Sequence, residues 1–312
     1  MITALRPLST SELLDRTFHL YRNHFLIFVT ISAIPQIPVL ALHMTDAALW
    51  LRVLIPARGL RALLFIAVGF LGVEVSHAVA AVAVSRLHLG ESVSIRSAFS
   101  RAKGSLLRVI WIVFVTFILP FFLAIVLGLI VLGISAGTLY STGLLNSRDT
   151  TSMFFGGLVV ILIFLAVPLL ALRVWMAWSL VVPVTVLEGG GLRATVRRSS
   201  RLTAGRRGRI FVIYVLMFVL TYVVQILFQM PYYILAGQQA FTPRGHLGVT
   251  RIMVSAAGSF LATSFVGPLL EIAITLIYYD ERVRKEGFDL QLMMANMEGG
   301  GGPAGIAAAS AS

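Results

Sequence analysis

The sequence contains no cysteine, which excludes disulfides, thiolate metal sites and cysteine nucleophiles. Charge is scarce as well. Only 12% of the 312 residues are Asp, Glu, Lys or Arg, about half the roughly 25% of an ordinary soluble domain. Acidic residues are the scarcer kind, 13 against 25 basic ones. With 58% of its residues hydrophobic, the chain has too little polar surface to face water on all sides. Lipid is the solvent that fits, because a hydrocarbon core about 30 Å thick takes roughly 20 apolar residues per crossing helix. The net charge of +12 raises the question of nucleic acid. The basic residues lie beside apolar segments and form no domain of their own, so no nucleic-acid partner is expected. No cleavable leader is expected either: the first apolar run begins near Phe25, behind a polar segment with its own helix signals, and no small-residue cleavage site follows.

Six apolar stretches are present, at about 25–44, 60–84, 106–139, 153–187, 208–236 and 252–279. The fold class expected from them is all-α: a polytopic integral membrane protein with about six transmembrane helices and basic amphipathic interfacial helices, five or seven crossings being the alternatives. Pro35 and Pro38 predict a kink or break in the first stretch. The third and fourth exceed 30 residues, about 50 Å of helix, and must tilt, protrude or break, with Pro120 and Pro183 as the break points. The expected division is 1–23 as a cytoplasmic amphipathic lead, 24–280 as the transmembrane domain, 281–297 as a charged cytoplasmic segment and 298–312 as a disordered Gly/Ala/Ser tail.

Arginine placement sets the orientation. With six spans and the N-terminus inside, 18 Lys and Arg fall in inner segments and six in outer ones. That predicts a bacterial inner-membrane protein with both ends in the cytoplasm. A weak internal repeat accompanies the pattern. Leu13–Phe28, Arg96–Ile112 and Arg197–Val212 are each basic, partly amphipathic leads into a span, and a shift of 101 matches Arg96 with Arg197, Gly104 with Gly205 and Arg108 with Arg209. This points to three helix pairs, each opened by a surface helix; chance similarity among basic apolar segments is the alternative. In the first lead Ser9 and Glu12 form a capping box and Leu8 can staple Leu13, with Leu14, Phe18, Tyr21 and Phe25 on one face and Asp15, Arg16, His19 and Arg22 away from it. Such a helix lies at a membrane surface, either as a topology anchor or as a lipid-binding element.

Three separated segments resemble one family, the bacterial glycerophosphoryl diester phosphodiesterase membrane domain. They are Arg6-Pro-Leu-Ser with Leu14-Asp15-Arg16-Thr17-Phe18-His19-Leu20-Tyr21-Arg22, then Val182-Pro183-Val184-Thr185-Val186-Leu187-Glu188-Gly189 with the Arg198-Ser199 region, and finally Tyr278-Tyr279-Asp280-Glu281-Arg282-Val283-Arg284-Lys285-Glu286-Gly287-Phe288-Asp289. The resemblance spans about residues 5–297. It implies a multi-helix membrane module and does not imply phosphodiesterase activity, which in the namesake enzymes belongs to a separate soluble barrel. A barrel needs about 250 residues, and the spans leave no room for one here.

Ionisable residues inside spans are the first candidates for function: Glu74, Arg173 and Glu271, in the second, fourth and sixth stretches at depths within one to two helical turns. Together they would make a net negative site able to hold a cation or a proton. The alternatives are a structural salt bridge, or Arg173 snorkelling to the interface. Glu74-x-x-His77 has the spacing of a di-iron helix, but that site needs a second copy and further Glu, so no metal or cofactor is expected. Gly133-x-Ser135-x-Gly137 follows an apolar span and reads as a small-residue helix contact rather than a nucleophile elbow. The Arg-rich stretch 193–209, with Arg197, Arg198, Arg201, Arg206, Arg207 and Arg209, suits anionic lipid headgroups, an acidic partner or topology fixing alone. The reading that results is a non-enzymatic membrane module that organises lipid or a partner, a second copy or another membrane protein, at the inner leaflet. A transporter or channel using Glu74, Arg173 and Glu271 is the alternative.

Overall fold

A computed structural model describes residues 6–48, 50–118, 171–238 and 248–298, with scattered positions between 120 and 169. The predicted tail beyond Glu298, Ser135 and most of the third and early fourth apolar stretches lie outside the described residues; Gly133 and Gly137 are described, and a Cβ at either meets nothing within 4 Å. Every element among the described residues is helical, and five helices are long and apolar enough to cross a membrane. The protein is an all-α polytopic membrane protein.

The first helix, α1 (Thr10–Asn23), starts on the predicted capping box. The Ser9 N–H donates to Glu12 Oε2 at 2.7 Å, and the Glu12 N–H donates to Ser9 Oγ at 3.2 Å. The staple residues Leu8 and Leu13 are both buried. Those hydrogen bonds to Ser9, helped by Arg6, hold the Glu12 carboxyl down from 4.5 to about 2. Because this pKa is depressed in the folded state, the cap contributes fully above 4.5 and is lost as pH falls through about 2. The protection factors of the amides at the start of α1 should therefore fall progressively between those two pH values; protection that does not change across that range would show that the box does not form.

Phe18 on α1 and Phe25 just beyond it are exposed, aromatics of the face expected to lie against lipid, while Leu13 and Thr17 point inward. Tyr21 is half-buried, and its hydroxyl donates to the Phe265 carbonyl; burial pushes that hydroxyl up to about 12. A break at His24 leads into α2 (Phe25–Ala47), which runs unbroken through Pro35 and Pro38. The predicted break is absent because proline's missing hydrogen bond is tolerated where a neighbouring helix packs on the freed backbone. The carbonyls freed by the two prolines are those of Ile31 and Ile34, and Gly72 lets the facing helix close on the same segment: a Cβ there would lie 2.8 Å from the Pro35 carbonyl oxygen.

Short α3 (Trp50–Leu54) precedes α4 (Arg58–His88). The buried residues of α4 all fall between Gly72 and Val84, so the bundle is packed over one half of this helix and open over the other. Helix α5 (Ile95–Val113) begins on a second capping box, Ser94 with Ser97, and continues as a π-helical turn, Phe114–Ile118. The fourth stretch is described from Ala171 to Glu188. It breaks at Ser179–Leu180 and restarts as α6 (Val181–Glu188). Pro183 thus sits in a first helical turn, where its missing N–H costs nothing. The groups released by the break are satisfied from outside it. The Leu180 N–H donates to Ser199 Oγ at 3.2 Å, the Ala177 carbonyl accepts from Ser199 Oγ at 3.0 Å and Thr203 Oγ1 at 3.2 Å, and the Ser179 carbonyl accepts from the Tyr214 hydroxyl at 3.3 Å.

Surface helix α7 (Leu192–Thr203) supplies Ser199 and Thr203. The chain then turns at Gly205, whose φ of +78° suits glycine, and enters α8 (Arg207–Gln238). Gly104, aligned with Gly205 in the repeat, sits inside uninterrupted α5. The basic leads therefore recur as elements while their junctions differ. Helix α9 (Gly248–Glu286) is central: 61% of its most apolar window is buried, against 22% for those of α2 and α8. It contacts α1, α2, α4, α6, α7 and α8. Small residues at Ser255, Ala256, Ala257, Gly258, Ser259 and Gly267 let neighbours approach on several sides. The outward faces are apolar, with Leu107 84% and Phe218 68% exposed, as lipid contact requires.

No structural boundary falls at residue 280. Helix α9 continues through the charged segment to Glu286, held by the (i, i+4) pairs Asp280–Arg284, Glu281–Lys285 and Arg282–Glu286. Gly287 closes it with φ of +61°, and α10 (Phe288–Glu298) follows.

Candidate functional site

Two polar assemblies are built into the bundle. The first joins segments far apart in sequence at its arginine-rich end. Asp280 is wholly buried and accepts from the Leu8 N–H at 2.7 Å, from Arg284 Nε at 3.0 Å and from Arg209. The Leu8 carbonyl accepts from Arg209 Nη2 at 2.8 Å and from Arg284. Eleven residues before Arg209, Arg198 donates to Glu188 Oε2 and Glu286 Oε2, both at 2.8 Å. The Tyr278 hydroxyl adds a hydrogen bond to Glu188 at 2.8 Å. Burial opposes the charge on Arg198, but the hydrogen bonds to Glu188 and Glu286 outweigh it and hold the guanidinium above its ordinary pKa. Lys285 Nζ caps the end of α7 by donating to the Leu202 and Ala204 carbonyls at 2.6 and 2.7 Å. Arg86 closes the α4–α5 turn on Glu91 at 2.7 Å, and Ser85 joins that turn to α9 through the Tyr279 hydroxyl at 2.6 Å. All four segments expected on one side of the membrane therefore meet at one end of the bundle.

This network revises the predicted headgroup set. Arg198 and Arg209 are engaged with carboxylates, Arg206 lies 4.0 Å from the buried Glu281, and Arg207 is part-buried. Arg197 and Arg201 remain exposed, as does Arg193. Spacing explains the division. Positions 193, 197 and 201 share the outer face of α7, whereas Thr195, Ser199 and Leu202 face inward. Beside that face lies a groove of about 350 Å³ lined by Val115, Trp178, Leu192 and Val196 together with Arg193 and Arg197. Its floor includes the π-helical turn after α5, an irregularity frequent at functional sites.

The second assembly lies midway along α4 and α9. Glu74 and Glu271 are 5% and 6% exposed. Ser76 donates to Glu271 Oε1 at 2.9 Å and is itself 3.1 Å from Ser32 Oγ on α2. His77 stands between the carboxylates, Nδ1 4.0 Å from Glu74 Oε2 and Nε2 3.8 Å from Glu271 Oε1. Close backbone contacts frame the cluster. Gly72 faces the Pro35 carbonyl and Gln36, and a Cβ at Gly267 would lie 3.1 Å from Ser32 Oγ. Two of the three predicted residues thus come together. Arg173 does not join them: it is exposed on its helix, with no ion pair to either carboxylate, because the buried face of its segment begins at Met176 and Ala177. His77, Ser76, Ser32 and Gln36 take its place. A usable signal was present in the sequence, since Ser32 and Gln36 lie four apart in an otherwise apolar run, the spacing of one helix face. Among the described residues no group of three His, Asp or Glu is arranged to hold a metal ion.

No family model, curated protein or solved structure matches the chain. The functional reading accordingly rests on these two assemblies and the groove.

Proposed function

We propose that the chain is a non-enzymatic membrane module that holds an anionic phospholipid at the cytoplasmic leaflet of a bacterial inner membrane, with both termini inside. The observation that carries this reading is the groove. Its apolar wall of Val115, Trp178, Leu192 and Val196 suits an acyl chain, and the exposed Arg193 and Arg197, one turn apart, suit a phosphate. Arg198 and Arg209 are engaged with carboxylates and hold the platform, while Arg193 and Arg197 face outward. The positive-inside pattern supports a cytoplasmic position for this end, where anionic lipid attracts basic residues. The three segments that resemble the glycerophosphoryl diester phosphodiesterase membrane domain supply the platform: Leu8, Glu188 with Arg198, and Asp280 with Glu286.

Each basic group near an anionic surface contributes about 1 kcal/mol. The double variant Arg193→Gln/Arg197→Gln should therefore bind phosphatidylglycerol about thirtyfold more weakly while melting like the parent. Native mass spectrometry of the detergent-purified chain, titrated with phosphatidylglycerol and with phosphatidylcholine, measures this. Equal retention of the two lipids by the parent, or no loss in the double variant, would refute the reading. A transporter needs a polar path to Glu74 and Glu271, and the groove does not reach either residue.

A further inference from the structure

Glu74, His77 and Glu271 form a titratable group of three with no permanent cation among them. From α4 come Glu74, His77 and the hydroxyl of Ser76; from α9 come Glu271 and Thr275, whose hydroxyl is used on its own helix; from α2 come only the neutral Ser32 and Gln36. No Lys or Arg among the described residues pairs with any of the three. Both carboxyls are more than nine-tenths buried, and Glu74 Oε2 and Glu271 Oε2 each lack a hydrogen-bond partner. A buried carboxylate oxygen without a donor is costly, and two unneutralised carboxylates facing each other in a bilayer are costlier still.

Charge counting narrows the solution. With both carboxyls ionised and His77 neutral, the cluster carries two negative charges. It becomes neutral on taking up two protons, and these can sit on both carboxyls or on one carboxyl and the imidazole. In either distribution at least one of Glu74 and Glu271 is a carboxylic acid, and its O–H supplies a donor where the structure leaves an oxygen unpartnered. We propose that Glu74, His77 and Glu271 form a proton-binding site inside the membrane, joining α4 to α9 while occupied. His77 is the most exposed of the three, its side chain 26% open where the two carboxyls are nearly closed off. Loss of the protons places like charges across the α4–α9 contact, so occupancy and helix packing are coupled. The site is independent of the lipid groove.

Infrared difference spectroscopy of the full chain in lipid nanodiscs tests this. At neutral pH a carboxylic-acid C=O band sensitive to deuteration is expected. It should weaken in Glu74→Gln or Glu271→Gln and persist in Glu12→Gln. Ser76→Ala, which removes the donor to Glu271 together with its contact to Ser32 and leaves both carboxyls in place, should shift the band and gives a readout should the Gln variants fail to fold. Sodium at constant pH should leave the band unchanged. The proposal is overturned if no such band exists, if none of the cluster variants alters it, or if sodium bleaches it, which would make the site one for a metal cation. Lipid binding through Arg193 and Arg197 is unaffected by any of these results, so the two readings stand or fall separately.

Discussion

Asp280→Ala is expected to destabilise the protein by about 3–5 kcal/mol, the cost of removing one partner from a buried ionic group. The aspartate is fully buried and is the common acceptor for Arg209, Arg284 and the Leu8 N–H. Without it, two guanidiniums lose their counter-charge and a backbone donor loses its acceptor. The damage is not confined to α9. Leu8 ties the start of α1 to this point, and Arg209 ties the start of α8, so three helix ends lose their common anchor. Asp280→Asn should fall between parent and alanine, because one side-chain oxygen can still accept from Leu8 while the charge is gone. Titration of the purified chain from mild detergent into denaturing detergent, followed by circular dichroism, gives the free energies. A loss within the roughly 0–1 kcal/mol of an exposed pair would mean that the aspartate is solvated and that the α1–α8–α9 anchor does not exist.

That anchor marks where sequence reading reached its limit. Long apolar runs declare themselves because a bilayer demands length and composition, so α2, α4, α8 and α9 were legible, as was the start of α1 from Ser9 and Glu12. The capping box is a local rule with local residues. Partner choice across the bundle is not local. Arg198 and Arg197 are adjacent in sequence and carry the same charge, yet one is bound to Glu188 and Glu286 while the other faces out. The difference is a rotation of about 100° per residue on a helix whose buried face only the neighbouring helices define. On α1, Phe18 turns outward as an amphipathic surface helix requires, whereas nothing local marks Thr17 as the residue that turns into the bundle. Glu74 and Glu271 were found from the cost of charge in lipid, which is a sound prior. Arg173 failed the same test because depth alone does not decide which way a side chain points. The break at Ser179–Leu180 was signalled by Pro183; Ser199, Thr203 and Tyr214, which heal it, lie 19 to 35 residues away and carry no mark in the sequence.

Gly258→Val is expected to separate α8 from α9 and to cost about 1–3 kcal/mol or more, the range for overpacking a filled interface. A Cβ at position 258 would lie 2.6 Å from the Phe228 carbonyl oxygen and 3.3 Å from its carbon. Both are backbone atoms, so no side-chain rotation relieves the clash and one helix must move. Movement also strains the polar contacts beside it, where Gln229 Nε2 donates to Ser259 Oγ at 2.6 Å and to the Ser255 carbonyl at 3.2 Å. Even Gly258→Ala should destabilise, although alanine is the better helix former by about 1 kcal/mol. Gly104 on α5 provides the opposite case: a Cβ there meets nothing within 4 Å, so Gly104→Ala should stabilise by about 0.5–1 kcal/mol. The two substitutions are chemically identical and differ only in what faces the new methyl group. Opposite signs in the same unfolding assay would establish the close approach of α8 to α9. A neutral or stabilising Gly258→Ala would mean that these helices stand further apart, and the central position of α9 would have to be given up.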